Sequence, residues 1–406
     1  MNAPIHRPTS EDGPGGDRPG RAAGRLAGLG ETVFARYSAL AARSGGLNLG
    51  QGFPDEDGPA AVLEAARAAI AAGHNQYAPG IGIPALRAAV ARHQLRHHGI
   101  ALDPERQVVV TTGATEGIAA AMLAFVEPGD EVVVLEPSYD TYDAMIAMAG
   151  GRRRGVPLRA PDFRLDPDEL AATVTDRTRV LVLNTPHNPT GRVLDAEELA
   201  AVAAVARRHD LVVVSDEVYE HLTFDGHRHV PVSTLPGMAG RTVTVSSLGK
   251  SWSLTGWKVG WVSGPSDLVR TVLMAKQWLT YTSGTPFQHA AVLALDEHDG
   301  FPRALATDLA ARRDLLVDGL TGAGVPTSRP EGTYFVVSDV STLGWEDGEA
   351  FCTALSERAG VVAIPLQGFF GTRPEAGRHL VRWAFCKRRE VLEEALARLS
   401  AADLSA

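Results

Sequence analysis

Six short runs of apolar, largely β-branched residues recur through the middle of the chain. They are Val108–Thr111, Glu131–Leu135, Val180–Leu183, Leu211–Val214, Thr242–Val245 and Val259–Val262. Runs this short and this apolar read as buried strands, and each is bounded by glycine, proline or a polar cluster. Segments with helical spacing lie between them, including Glu116–Phe125 and Ala196–Arg207, and another, Asp267–Leu279, follows the last. Strands alternating with helices predict an α/β domain with a mainly parallel sheet. A long helical period from Ala304 to Leu320, then short strands and more helix, predicts a second, smaller α+β unit.

The chemically informative residues come just past the strands. After Thr242–Val245 stands Ser246-Ser247-Leu248-Gly249-Lys250, with Trp252, Leu254 and Trp257 nearby and Lys258 eight residues beyond Lys250. Hydroxyl and ammonium groups at a strand's end suit a bound phosphate. A lysine shielded by large apolar side chains suits a nucleophilic amine, because desolvation disfavours the ammonium form. A P-loop is the competing reading, but that motif needs glycine where Thr244 stands. After Leu211–Val214 comes Ser215-Asp216-Glu217-Val218-Tyr219. A carboxylate ending a buried strand is costly unless it meets a cation, although an N-cap is the commoner use of such an Asp. Gly113-Ala114-Thr115 offers a glycine turn into a helix N-terminus, where free N–H groups favour an anion. Arg382 lies on the alternating strand Val381–Cys386, where a guanidinium can fork onto a carboxylate. Gly80, Gly82 and Ala85 match a dinucleotide pattern on paper, but no strand precedes them.

Taken together, residues 32 to 400 resemble the class I/II aminotransferases, fold-type I enzymes dependent on pyridoxal 5′-phosphate. The strings that carry the resemblance are N-L-G-Q-G-F-P-D at 48–55, N-Q-Y at 75–77, T-x-G-A-T-E at 111–116 and E-P-x-[YF]-x-x-Y at 136–142. N-P-x-G at 188–191, D-E-V-Y at 216–219, S-x-x-G-K at 246–250 and V-R-W-A-F at 381–385 complete the set. The resemblance implies a large domain with a mainly parallel seven-stranded sheet between helices, plus a smaller α+β domain. It implies that Lys250 forms the Schiff base and that Ala114, Thr115, Ser246 and Lys258 hold the cofactor phosphate. Tyr139 would stack on the ring, Asp216 would face its N1, and Tyr219 and Asn188 its O3′. Gly52, Asn188 and Arg382 would meet the substrate. Tyr77 would reach the phosphate of the partner subunit, which implies a homodimer. The expected organisation is a disordered leader (1–30), an N-terminal segment of the small domain (31–60), a large cofactor-binding domain (61–295) and a C-terminal small domain (296–406).

The reaction implied is transfer of an amino group from an L-amino acid to a 2-oxo acid, 2-oxoglutarate above all. The pattern is most similar to the branch holding kynurenine, glutamine, methionine and N-succinyldiaminopimelate aminotransferases. F-P-D-E-D-G-P, F-C-x-A-L-x-E and H-L-V-R-W-A-F-C-K-R lean towards the last. A cysteine-conjugate β-lyase uses the same fold and lysine and is the alternative. A regulator with an aminotransferase-like sensing domain is the remote one. A net charge of −9 opposes nucleic-acid or anionic-membrane partners, and no apolar run reaches membrane-span length. With only Cys352 and Cys386 and no CxxC spacing, a reduced cytoplasmic protein without a metal site is expected.

Overall fold

The computed structural model describes residues 23–26 and 28–406. Of the expected leader, positions 1–22 and 27 lie outside the described residues, and Gly24–Leu26 form one exposed 3-10 turn. The described residues hold twelve strands. β1 is Leu47–Asn48, β2 Val108–Thr112, β3 Glu131–Glu136, β4 Arg152–Pro157, β5 Thr178–Asn184 and β6 Val212–Asp216. β7 is Thr242–Ser247, β8 Val259–Ser263, β9 Phe335–Asp339, β10 Val361–Val362, β11 Ile364–Pro365 and β12 Leu380–Ala384.

Seven of these form one sheet in the order β2-β8-β7-β6-β5-β3-β4. The pairs β4–β3, β3–β5, β5–β6 and β6–β7 are parallel, while β8 runs antiparallel to both β7 and β2. The mainly parallel seven-stranded sheet expected from the resemblance is therefore present. Its inner strands are largely apolar because both faces are covered. Alternation still sorts them: Val132 and Val134 of β3 join one core, Val133 and Leu135 the other. The helices Gly113–Phe125 and Ser266–Lys276 pack on the first face, contributing Ile118, Met122, Val269 and Val272.

A three-stranded antiparallel sheet, β11-β12-β9, and the parallel pair β1–β10 lie beside it. Leu47 and Asn48 pair with Val361 and Val362, so the N-terminal segment closes onto the C-terminal part of the chain. The preceding helix, Val33–Ser44, is capped by the Thr32 hydroxyl, which accepts from Ala35 N–H, and stopped by Gly45 at φ 65°.

Three local differences from the sequence reading have physical causes. The helix expected from Glu116 starts at Gly113, because the Glu116 carboxylate accepts Thr112 N–H across the first turn. The helix expected to reach Leu279 ends at Lys276, whose ammonium donates to the carbonyl oxygens of Gly80 (2.8 Å) and Tyr281. β4 was hidden by Arg152-Arg153-Arg154 and Pro157, which suit an edge strand. Arg153 is turned inward there, pairing with Glu136 at 2.8 Å and with Asp143.

Candidate active site

Strands β2, β3, β5, β6 and β7 share one direction, and their C-terminal ends open on a single cavity of about 320 Å3. Open α/β sheets bind ligands at that edge. Each strand delivers its residue within a few positions: Gly113, Ala114 and Thr115 after β2, Tyr139 after β3, Asn188 after β5, Asp216 and Tyr219 from β6, and Lys250 after β7. Antiparallel β8 begins at the same edge and adds Lys258. From the smaller sheet, β12 contributes Arg382 and β9 Phe335, and the loop after β1 contributes Gln51, Gly52 and Phe53.

Lys250 sits on a single helical turn, Leu248–Ser251. Among the described residues its ammonium has one hydrogen bond, a long one to Gly52 O at 3.4 Å. Its Nζ stands 5.7 and 5.9 Å from the rings of Tyr334 and Tyr219. Burial lowers its pKa to about 8, which raises the share of free amine near neutral pH. Asp216 is 4 % exposed; one carboxylate oxygen accepts the Tyr142 hydroxyl at 2.6 Å and the other a weak bond from Val218 N–H. Burial raises its pKa to about 6, and no cation among the described residues comes within ion-pair distance. Asn184 fixes the neighbourhood, donating to Asp216 O at 2.9 Å and accepting Asn188 N–H at 2.8 Å.

Arg382 is buried as well. It donates to Asn188 Oδ1 at 3.1 Å and Gly50 O at 2.7 Å, and lies 4.0 Å from the centre of the Phe335 ring. Burial lowers its pKa to about 10, still charged at neutral pH. Among the described residues no carboxylate is within ion-pair distance of it. A buried guanidinium held by two neutral oxygens and an aromatic face is a receptor for an anion. Gly52 must be glycine here: a Cβ would stand 2.5 Å from the Phe335 ring, and its carbonyl accepts both Lys250 and the Tyr334 hydroxyl (2.7 Å).

At the opposite end Gly113 has φ +71°, and a Cβ on Gly260 would stand 2.7 Å from the Gly113 carbonyl carbon. The two glycines let β8 press against the turn and leave room for the Lys258 side chain, whose Nζ would stand 3.3 Å from a Cβ on Gly113. These residues fit pyridoxal 5′-phosphate. An amine is available, a carboxylate lacks its cation, Tyr139 flanks the cavity, and a donor-rich turn waits beside an ammonium.

Two expected positions are not in this cavity. Ser246 is turned to the far face of β7, where its hydroxyl donates to Glu220 Oε1 at 2.6 Å. Strand alternation brings Ser247 to the cavity instead, so the expectation for Ser246 is corrected to its neighbour. Tyr77 is 85 % exposed and rests edge-on against Tyr281, away from the cavity of its own chain. The sequence reading gave no role to Tyr142, the hydroxyl partner of Asp216, or to Asn184; the signal for the first was its place as the last residue of the string 136–142, and for the second its place at the end of β5.

Residues 44–399 match the family Aminotransferase class I and II. The chain is similar to the "probable N-succinyldiaminopimelate aminotransferase" of Mycobacterium tuberculosis, 53 % identical over 93 % of this chain and 97 % of that protein. It is also similar to the methionine aminotransferase of Escherichia coli, 40 % identical over 92 % and 97 % of the two chains. The solved N-succinyldiaminopimelate aminotransferase of Mycobacterium tuberculosis superposes with a TM-score of 0.91 at 52 % identity, covering 94 % of this chain and 99 % of that one.

Proposed function

The chain belongs to the class I and II aminotransferases, and on that premise we propose that it moves the amino group of N-succinyl-LL-diaminopimelate to 2-oxoglutarate. The observation that carries an amino-acid substrate is Arg382, a buried cation with no anionic partner among the described residues, facing the Lys250 amine across one cavity. Its two terminal nitrogens grip the α-carboxylate and so bring the α-carbon towards Lys250. Lys250 Nζ, partly unprotonated, takes the α-proton and later returns it. Pyridoxal 5′-phosphate, when bound, supplies the electron sink for that proton's departure. Asp216 would hold negative charge against the ring nitrogen, Tyr139 would flank the ring, and Tyr219 and Asn188 would face the phenolic oxygen. Ala114, Thr115, Ser247 and Lys258 would hold the phosphate.

Support for the succinylated donor is the 53 % identity to the mycobacterial enzyme and the form of the cavity. At about 320 Å3 it is at the small end of ligand pockets, so a long donor tail extends past Phe53, itself half exposed at the mouth. Tyr77, Tyr281 and Trp278 (83 % exposed) form an aromatic surface that suits a second copy of the chain, with Tyr77 completing the partner's phosphate site. Two buried free cysteines, Cys352 and Cys386, suit a cytoplasmic protein.

The test is glutamate formation from 2-oxoglutarate with N-succinyl-LL-diaminopimelate, L-methionine and L-kynurenine offered separately. A kcat/KM at least about tenfold higher for the succinylated donor is expected, since one extra specific contact is worth that much. Preference for methionine or kynurenine would overturn the donor assignment. Lys250→Ala should lose at least about 10^4-fold in kcat, and appreciable steady-state turnover by it would overturn the mechanism.

A further inference from the structure

Behind β7, on the side to which Ser246 is turned, gather five histidines (His93, His97, His98, His221 and His229) and three acids, Glu217, Glu220 and Asp299. His93 and His97 stand one turn apart on the helix Pro84–His98, and His221 comes from the segment after β6. Their ring centres form a nearly even triangle: 4.6 Å from His93 to His97, 4.8 Å from His97 to His221 and 5.0 Å from His93 to His221. Three imidazoles around one tetrahedral ion at about 2.0 Å place their ring centres about 5 Å apart. One ring nitrogen from each of the three lies within 4.8 Å of the others. We propose that His93, His97 and His221 form a Zn2+ site, separate from the active site, with its fourth position open to solvent.

The surroundings are those of a metal site. His97 gives Nε2 to Asp299 Oδ1 at 2.6 Å, leaving Nδ1 for the ion, and Asp299 is itself held by Arg96 at 3.0 Å. A carboxylate on the outer nitrogen of a ligating histidine fixes its tautomer and orientation. His93 and His221 meet through Nε2 at 2.8 Å; ligands at about 2.0 Å from one ion need about 3.3 Å, so the two rings part by about half an ångström. His93 is fully buried with Nε2 turned towards His221, so Nε2 is its metal-facing nitrogen and Nδ1 is the outer one, which has no hydrogen-bond partner among the described residues. Glu220, bonded to His98 at 2.7 Å, adds negative charge nearby. A groove of about 730 Å3 lined by His97, His221 and Asp299 provides the entry path and room for a water as fourth ligand. Helical i, i+4 histidines with a third from another segment suit zinc among the divalent metals that imidazole favours. The ion would tie the helix Pro84–His98 to the segment that carries Tyr219.

The test uses the cofactor-loaded enzyme, stripped with chelator, desalted and titrated with Zn2+ or, as a spectroscopic probe, Co2+. Expected are one Zn2+ retained per chain by elemental analysis and visible absorption from tetrahedral Co2+. The thermal midpoint should rise by about 3 °C at Zn2+ a hundredfold above Kd. His97→Gln and His221→Gln should abolish all three signals, and Asp299→Asn should weaken Zn2+ by about 10- to 100-fold while keeping the stoichiometry. Circular dichroism of His97→Gln, a partly exposed position, separates loss of the site from loss of the fold. No retained metal, or retention unchanged in the two histidine variants, would overturn the proposal.

Discussion

Replacing Tyr142 by Phe removes one oxygen from the site and little else. The side chain is 3 % exposed, and its hydroxyl donates to Asp216 at 2.6 Å. A hydrogen bond to a charged group contributes about 1.5–3 kcal/mol. Here it stabilises the carboxylate form of a group that burial already pushes up to about 6, so its loss should raise the Asp216 pKa by about one to two units. The carboxylate is the form that pairs with a protonated ring nitrogen. Near pH 5, where that rise acts almost in full, affinity for pyridoxal 5′-phosphate should therefore fall by about 10- to 100-fold, against about fourfold or less at pH 7.5, read by absorbance titration of apoenzyme. In an Asp216→Asn background the same Tyr142→Phe change should alter affinity by less than about threefold, because the charge it supports is gone. Equal losses in both backgrounds would refute the reasoning and make Tyr142 a direct cofactor contact.

Asp216→Asn should separate stability from function. Its carboxyl has a folded pKa of about 6, above the ordinary value of 3.8, so the folded state binds protons more tightly than the unfolded one. From this group, apoenzyme stability is greatest below pH 4 and falls as pH rises to 6, by at most about 3 kcal/mol. Apo Asp216→Asn should then have a higher thermal midpoint than wild type at pH 8, with the gap closing towards pH 4, while its cofactor binding weakens; an unchanged or lower midpoint at pH 8 would contradict the account. Arg382→Lys keeps the charge but not the planar fork, and should lower kcat/KM for the donor by about 30-fold or more, mostly through KM. A fall confined to kcat would assign Arg382 to the chemical step. Gly52→Ala sets a Cβ 2.5 Å from Phe335 and should cost about 1–3 kcal/mol in stability and displace the carbonyl facing Lys250; denaturant midpoints and KM together check it.

The strands of the main sheet were legible because both faces are covered and their apolar runs stand out against glycine, proline and asparagine turns. The residues just past each strand were legible for the same reason, which is why Lys250, Asp216, Asn188 and Ala114 lie on one cavity wall. Arg382 needed the family's pattern, since alternation on β12 alone does not say which face meets the site. Parity misled at Ser246 and Ser247: both are hydroxyls at a strand end, and only the observed register shows which one faces in. β4 was concealed by charge. The histidine triangle was out of reach because two of its corners are 128 residues apart along the chain, and no local period brings His93 to His221.

Because β8 runs against its neighbours, Lys250 and Lys258, the amine and the phosphate-side ammonium of the proposed mechanism, both belong to one short connection, residues 248–258. Their separation is set by that hairpin alone. Arg382 belongs to a different sheet, reached through a different loop. The span of the cofactor and the identity of the donor are thus written on separate pieces of chain. Mutations in the smaller sheet and the loop after β1 can retune which amino acid is accepted while the spacing between Lys250 and Lys258 stays untouched. A lineage can change its substrate here without having to reinvent its chemistry.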